Sequence, residues 1–181
     1  VRTEQGSFIV KQARPWVEKY PQLEAPIERI HTESQFYTLV QTNDILKQYT
    51  PQLLATDLDN FLIKVEDLGN GADFSYVYQK GQDFTQLELE SLLTFLQTLH
   101  QSDFSWASSS YPKNQALKAL NHEHIFNFPY RAYNGMDLNA IQAGLHDLAT
   151  PIYRDKGLIA AIAQLGERYL GEGQHLIHGD Y

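Results

Sequence analysis

Four places along this chain carry groups with chemical potential: Lys11, Glu33, the run Glu66-Asp67-Leu68-Gly69, and Asp180. Lys11 follows the β-branched and aromatic run Phe8-Ile9-Val10. Strand alternation puts Ile9 and Lys11 on one face. An ammonium placed there can reach phosphate oxygens while Ile9 covers an adenine ring; a strand lysine can equally serve to blunt a sheet edge. Glu33 shares a helical face with Arg29, Ile30 and Tyr37. From there it can turn inward and hold Lys11, or stay solvated beside Ile30, with Glu24 and Glu28 competing for the inward role. Around Glu66 and Leu68 the pattern breaks. A linker at such a break has no ladder partner, so its backbone groups can meet the edge of a base, or it is a plain turn. Asp180 follows Gly179, which permits an unusual backbone. A carboxylate displayed there can accept the proton of a hydroxyl attacking a γ-phosphate; the alternative is a turn aspartate. His178 reads as structural, holding its loop by a ring hydrogen bond.

These groups need elements to carry them. Val1 to Gln12 reads as the end of one hairpin and its second strand. Pro15 to Pro26, with three prolines, reads as a loop. Ile27, Ile30, Tyr37 and Val40 recur at helical spacing. Leu53-Leu54-Ala55, the turn Asp57-Leu58-Asp59-Asn60 and the run Phe61 to Val65 predict a second hairpin. Glu66 to Gly71 is the domain boundary. Beyond it the chain turns helical. Thr85 and Glu88 form a capping-box pattern, and Leu89, Leu92, Leu93, Leu96, Leu99 and His100 predict one broad face. Asp137 is placed to cap a helix through Leu148. Lys156 to Leu170 predicts another helix, and His175-Leu176-Ile177 a short strand that delivers Asp180.

The 181 residues suffice for one or two domains. Hydrophobic residues are 43% and charged residues 20%, which argues against disorder. A net charge of -8 disfavours a nucleic-acid partner, where a basic stripe is expected. No apolar stretch is long enough to span a bilayer. The absence of cysteine excludes a disulfide framework, thiolate zinc sites and a cysteine nucleophile, and fits a reducing, cytoplasmic compartment. Both ends read as cut, so a segment of a longer protein is expected.

The order of features is strand lysine, helix glutamate, hairpin, linker, capped helix ending in Leu99-His100, then Ile177-His178-Gly179-Asp180. In this order the chain resembles the aminoglycoside phosphotransferase and choline kinase superfamily, which has a protein-kinase-like fold. Two stretches look like its methylthioribose kinase-like branch: Val10-Lys11-Gln12-Ala13 before the proline loop, and Leu120-Asn121-His122-Glu123-His124-Ile125-Phe126 ending at Pro129. That second stretch is rich in histidine, but His122 and His124 are two apart, which on a helix points them in different directions, so a structural or substrate-side role is expected ahead of a metal site.

The resemblance implies an α+β, two-lobed fold: a β-rich lobe with one helix over 1–68, and a mainly helical lobe over 69–181. It implies transfer of the γ-phosphate of ATP to a hydroxyl of a small molecule, with Asp180 as catalytic base and Lys11 on the phosphates. Glu33 would hold Lys11, Glu66 and Leu68 would meet adenine through the backbone, and Ile9 would cover the ring. Mg2+ is implied too, with its ligands expected after Tyr181 and none assigned within the chain, just as a Gly-rich phosphate loop is expected before Val1. A polypeptide ending at Tyr181 is accordingly expected to be inactive. The acceptor would be a methylthioribose-like sugar, an amino alcohol or an aminoglycoside. A kinase-like binding or interaction protein without transfer activity is the alternative. A small-molecule substrate is the expected partner, with no nucleic acid and no membrane, and a homodimer is left open.

Overall fold

The computed structural model describes residues 1–3, 6–71, 73–104, 111–171, 173 and 175–177. Packing divides them into two compact units: 1–113 joined by 175–177, and Asn114–Gly173. This division by packing is not the one drawn at the linker. In chain order the first unit holds β1 (Arg2–Thr3), β2 (Gly6–Gln12), β3 (Trp16–Val17), β4 (Tyr20–Glu24), α1 (Arg29–Val40), β5 (Leu53–Asp57), β6 (Leu62–Glu66) and α2 (Gln86–Gln101). Strands followed by helices give the expected α+β class.

The main sheet is antiparallel, in the order β1-β2-β6-β5. Its two central strands pair with Ile9 opposite Val65 and Lys11 opposite Ile63. The β5–β6 turn closes on Asp57, whose carboxylate accepts from the Asn60 backbone N–H at 3.2 Å and from its amide at 2.9 Å. The stretch from Pro15 to Pro26 is not a plain loop, as the sequence suggests, but contains the β3–β4 hairpin, with Val17 opposite Tyr20. Each strand of a two-stranded ribbon has a free edge, so Pro21 costs no ladder hydrogen bond.

α1 buries Ile30, Ser34, Tyr37 and Val40. Ser34 satisfies its buried hydroxyl by donating to the His31 carbonyl at 2.7 Å. Ile30 and Tyr37 enter a core with Ala13, Ile63 and Val65. Val40 enters a second core with Leu46, Phe95, Leu99 and Leu176. α2 starts with the predicted capping box: Thr85 Oγ1 accepts from the Glu88 N–H at 3.2 Å, and Glu88 accepts from the Thr85 N–H at 2.7 Å. Its buried stripe is rotated from the predicted one. Phe95 and Leu99 go inside while Leu89 and Leu93 are exposed, because Phe95 packs against the Tyr49 ring, 6.1 Å away between centroids.

The second unit holds α3 (Gln115–His122), α4 (Leu138–Ile141), α5 (Leu145–Arg154) and α6 (Lys156–Gly171), with a π-helical turn at Glu123–Asn127. Asp137 does cap, accepting from the N–H groups of Asn139 and Ala140 at 3.0 and 3.2 Å. The helix it starts lasts one turn rather than reaching Leu148. The backbone leaves the helix at Gln142, φ -154°, and Gly144, φ +84°, opens the next one, in whose first turn the His146 N–H donates to the Asn139 side chain at 3.1 Å.

Residues 175–177 are not a strand. A strand must share its N–H and C=O groups with a neighbour, and no described residue pairs with this run. Leu176 is nonetheless buried in the second core and anchors the run. Leu176→Ala should therefore destabilise the protein by roughly 2–5 kcal/mol, whereas Ile177→Ala, at an exposed side chain, should stay within about 0.5 kcal/mol. Urea unfolding of the two variants measures this; equal small effects would mean that Leu176 does not dock.

Candidate functional site

The site grows from the way α1 crosses the sheet. The residues facing α1 are alternate ones, Lys11 on β2 with Ala13 just past its end, and Ile63 and Val65 on β6. Lys64, between those two, points to the opposite face, where its Nζ lies 3.7 Å from the centre of the Phe8 ring. With Ile30 and Tyr37 seated in the core, Glu33 on the same helical face is aimed at β2. The structure brings Lys11 and Glu33 together as a hydrogen-bonded ion pair. Glu24 and Glu28, the competitors, are both exposed and take no such partner among the described residues.

Sequence reasoning placed Tyr37 in the apolar stripe and missed its polar end. The Lys11 ammonium also approaches the Tyr37 hydroxyl at 3.4 Å. The signal was present as a tyrosine one turn after Glu33, since a buried tyrosine hydroxyl usually needs a partner. Partial burial works against the Lys11 charge, but the hydrogen bond to Glu33 and its negative charge outweigh this, and the pKa rises above 10.5. Burial raises the Tyr37 pKa, keeping it a neutral phenol. The Lys11 and Glu33 side chains remain 44% and 33% exposed. A pair this open to water contributes at most about 1 kcal/mol to stability and stays accessible to an anion.

Ile9, two residues from Lys11 on the same face, is 40% exposed and so available for apolar contact. Glu66 ends β6. Its backbone N–H donates to the Gln52 carbonyl at 2.9 Å, which removes that donor from any ligand. The Gln52 N–H turns instead to the Glu66 carboxylate, at 3.1 Å, leaving the Glu66 carbonyl without that partner. Leu68 is 65% exposed, and its N–H finds no acceptor among the described residues. The linker thus presents the Glu66 carbonyl and, two residues on, the Leu68 N–H. Asp180 lies outside the described residues, as do His178 and Gly179.

The histidine-rich stretch lies in the second unit. The His122 ring packs on Phe126 and that of His124 on Phe128, both at 5.8 Å between centroids. Among the described residues no three His, Asp or Glu side chains gather as metal ligands. The described residues therefore do not fit the divalent ion that the resemblance implies. None of the described helices is long and apolar enough to cross a membrane.

The chain is similar to methylthioribose kinases. That of Erwinia tasmaniensis is 30% identical over 95% of this chain and 44% of its own length. Those of Yersinia pestis and Pectobacterium carotovorum are each 28% identical over 95% of the chain, and over 43% and 44% of their own lengths. The chain thus spans less than half the length of these relatives. No protein-family model and no solved structure matches it. The relatives support a kinase-like family.

The ion pair has a pH signature. Lys11 holds its proton more tightly folded than unfolded, so its contribution to stability is complete below about pH 10.5 and is lost as pH rises through the higher folded value. Glu33→Gln removes the charge that raises it. The variant should lose no more than about 1 kcal/mol at pH 7, and its stability should decline less steeply than wild type above pH 10.5. Urea unfolding across that range measures the slope; parallel curves would dissociate Glu33 from the Lys11 shift.

Proposed function

We propose that this chain belongs to an ATP-dependent kinase that phosphorylates a hydroxyl of a methylthioribose-like sugar. The observation that carries the reading is the Lys11–Glu33 pair, held between strand and helix yet open to solvent. The names of the relatives support the sugar as acceptor ahead of amino alcohols and aminoglycosides.

In this reading the adenine edge receives the Leu68 N–H and donates its amino group to the Glu66 carbonyl, while Ile9 covers the ring. Lys11, steadied by Glu33, meets the phosphate oxygens. Asp180 takes the proton from the acceptor hydroxyl as its oxygen attacks the γ-phosphorus. The bond from that phosphorus to the β,γ-bridging oxygen breaks, and ADP leaves with the electron pair. Positioning and charge do most of the work in such a transfer.

The two ends of the site separate experimentally in the whole protein. Lys11→Met should weaken ATP binding roughly 10- to 100-fold, the scale of one hydrogen bond to a charged group. Asp180→Asn should leave ATP affinity near wild type and lower kcat by about 10²- to 10⁴-fold, the range of general-base catalysis. ADP release and 31P NMR of the sugar phosphate, with methylthioribose and a panel of amino alcohols and aminoglycosides, provide the assay. Wild-type turnover by the Asp180 variant would remove that residue from catalysis. Lack of phosphorylation of every acceptor by the wild-type protein, despite ATP binding, would favour the nucleotide-binding alternative.

A further inference from the structure

The Lys11 ammonium has three N–H donors. Glu33 takes one. The Tyr37 hydroxyl stands 3.4 Å from the same nitrogen, and the centre of its ring is 5.7 Å away, within the reach of a cation–π contact. The two partners differ in how they are held. The Glu33 side chain is 33% exposed, whereas Tyr37 is 9% exposed and packed with Ala13, Ile30, Ile63 and Val65. A ring fixed in that core cannot swing away from the lysine. The core itself needs only the ring, and phenylalanine would fill the same space, so packing leaves the hydroxyl unexplained. A neutral hydroxyl also has the right electrical character: it accepts from the ammonium without adding a second negative charge that would repel a phosphate.

We propose that Tyr37 is a positioning residue for Lys11: its core-anchored ring and hydroxyl hold the ammonium beside Glu33 and leave one N–H directed at a nucleotide phosphate. The final step, toward phosphate, rests on the function proposed above. The clamp on Lys11 does not.

Tyr37→Phe removes the hydroxyl and keeps the ring, and its thermal unfolding shows whether the core is intact. The first readout needs no nucleotide. Trinitrobenzenesulfonate modifies only the unprotonated amine, and the rate at Lys11 follows from peptide mass at fixed alkaline pH. Loss of the hydroxyl acceptor should speed this about five-fold, and Glu33→Gln serves as the positive control. The second readout is steady-state kinetics, where KM for ATP should rise about five-fold with KM for the acceptor unchanged. A Lys11 modification rate within two-fold of wild type overturns the clamp, whether or not the protein uses ATP. Faster modification in a protein that does not bind ATP supports the clamp and sinks the kinase reading instead. Faster modification with an unchanged KM for ATP overturns the phosphate step.

Discussion

The seat of α1 on the sheet sets the geometry of everything described around Lys11. Ile30 and Tyr37 lie in one core with Ile63 and Val65, and burying a side chain of this size contributes about 1.5–3 kcal/mol. The half-exposed ion pair contributes about 1 kcal/mol at most. The apolar contact therefore fixes the rotation of the helix, and the meeting of Glu33 with Lys11 follows from it. A charge pair that is a consequence of packing, and adds little to it, is free to exchange one partner for a ligand without unseating the helix.

The same helix reaches further. Its last turn sends Val40 into the second core, together with Phe95 and Leu99 of α2 and with Leu176. One rigid element thus links the strand that carries Lys11 to the run that precedes Asp180 in the sequence. The Asn43 amide adds a polar tie across this second core, donating to the Ser102 hydroxyl at 3.2 Å.

What was legible in the sequence is what local rules decide. The Lys11–Glu33 pair needed only a period of two on a strand and a stripe on a helix, and the Thr85–Glu88 box needed only three residues of separation. The β3–β4 hairpin was hidden because prolines argue against strands, an argument that fails in a ribbon with free edges. The rotated stripe of α2 was hidden because leucines mark a helical face equally well on either flank, and the space beside Tyr49 decides which flank goes in. Tyr37 was counted by its ring, not its hydroxyl, since only the fold reveals that Lys11 is its neighbour. The linker groups are the least legible. Any residue has a carbonyl, and at Glu66 it is the carboxylate that takes the Gln52 N–H.

The contrast with the second unit shows how a distinctive motif can belong to the scaffold instead. The stretch Leu120 to Phe126 carries two histidines and resembles one branch of the family, yet its rings are spent on packing. A Cβ added at Gly166 of α6 would lie 2.8 Å from His122 Nε2, so that glycine is what allows α6 to approach the imidazole. Lys118 of α3 extends the same contact, donating to the Leu170 carbonyl at 3.0 Å near the end of α6, where a cation also favours the helix dipole. Histidine and glycine here are matched in shape, and their spacing reports how two helices meet. At Lys11 the opposite holds: the ammonium fills no space that the core requires, and it keeps two polar groups close, the Glu33 carboxylate and the Tyr37 hydroxyl. Chemistry that packing does not explain is the better guide to a site, and by that measure Lys11, Glu33 and the Tyr37 hydroxyl stand apart from the histidines.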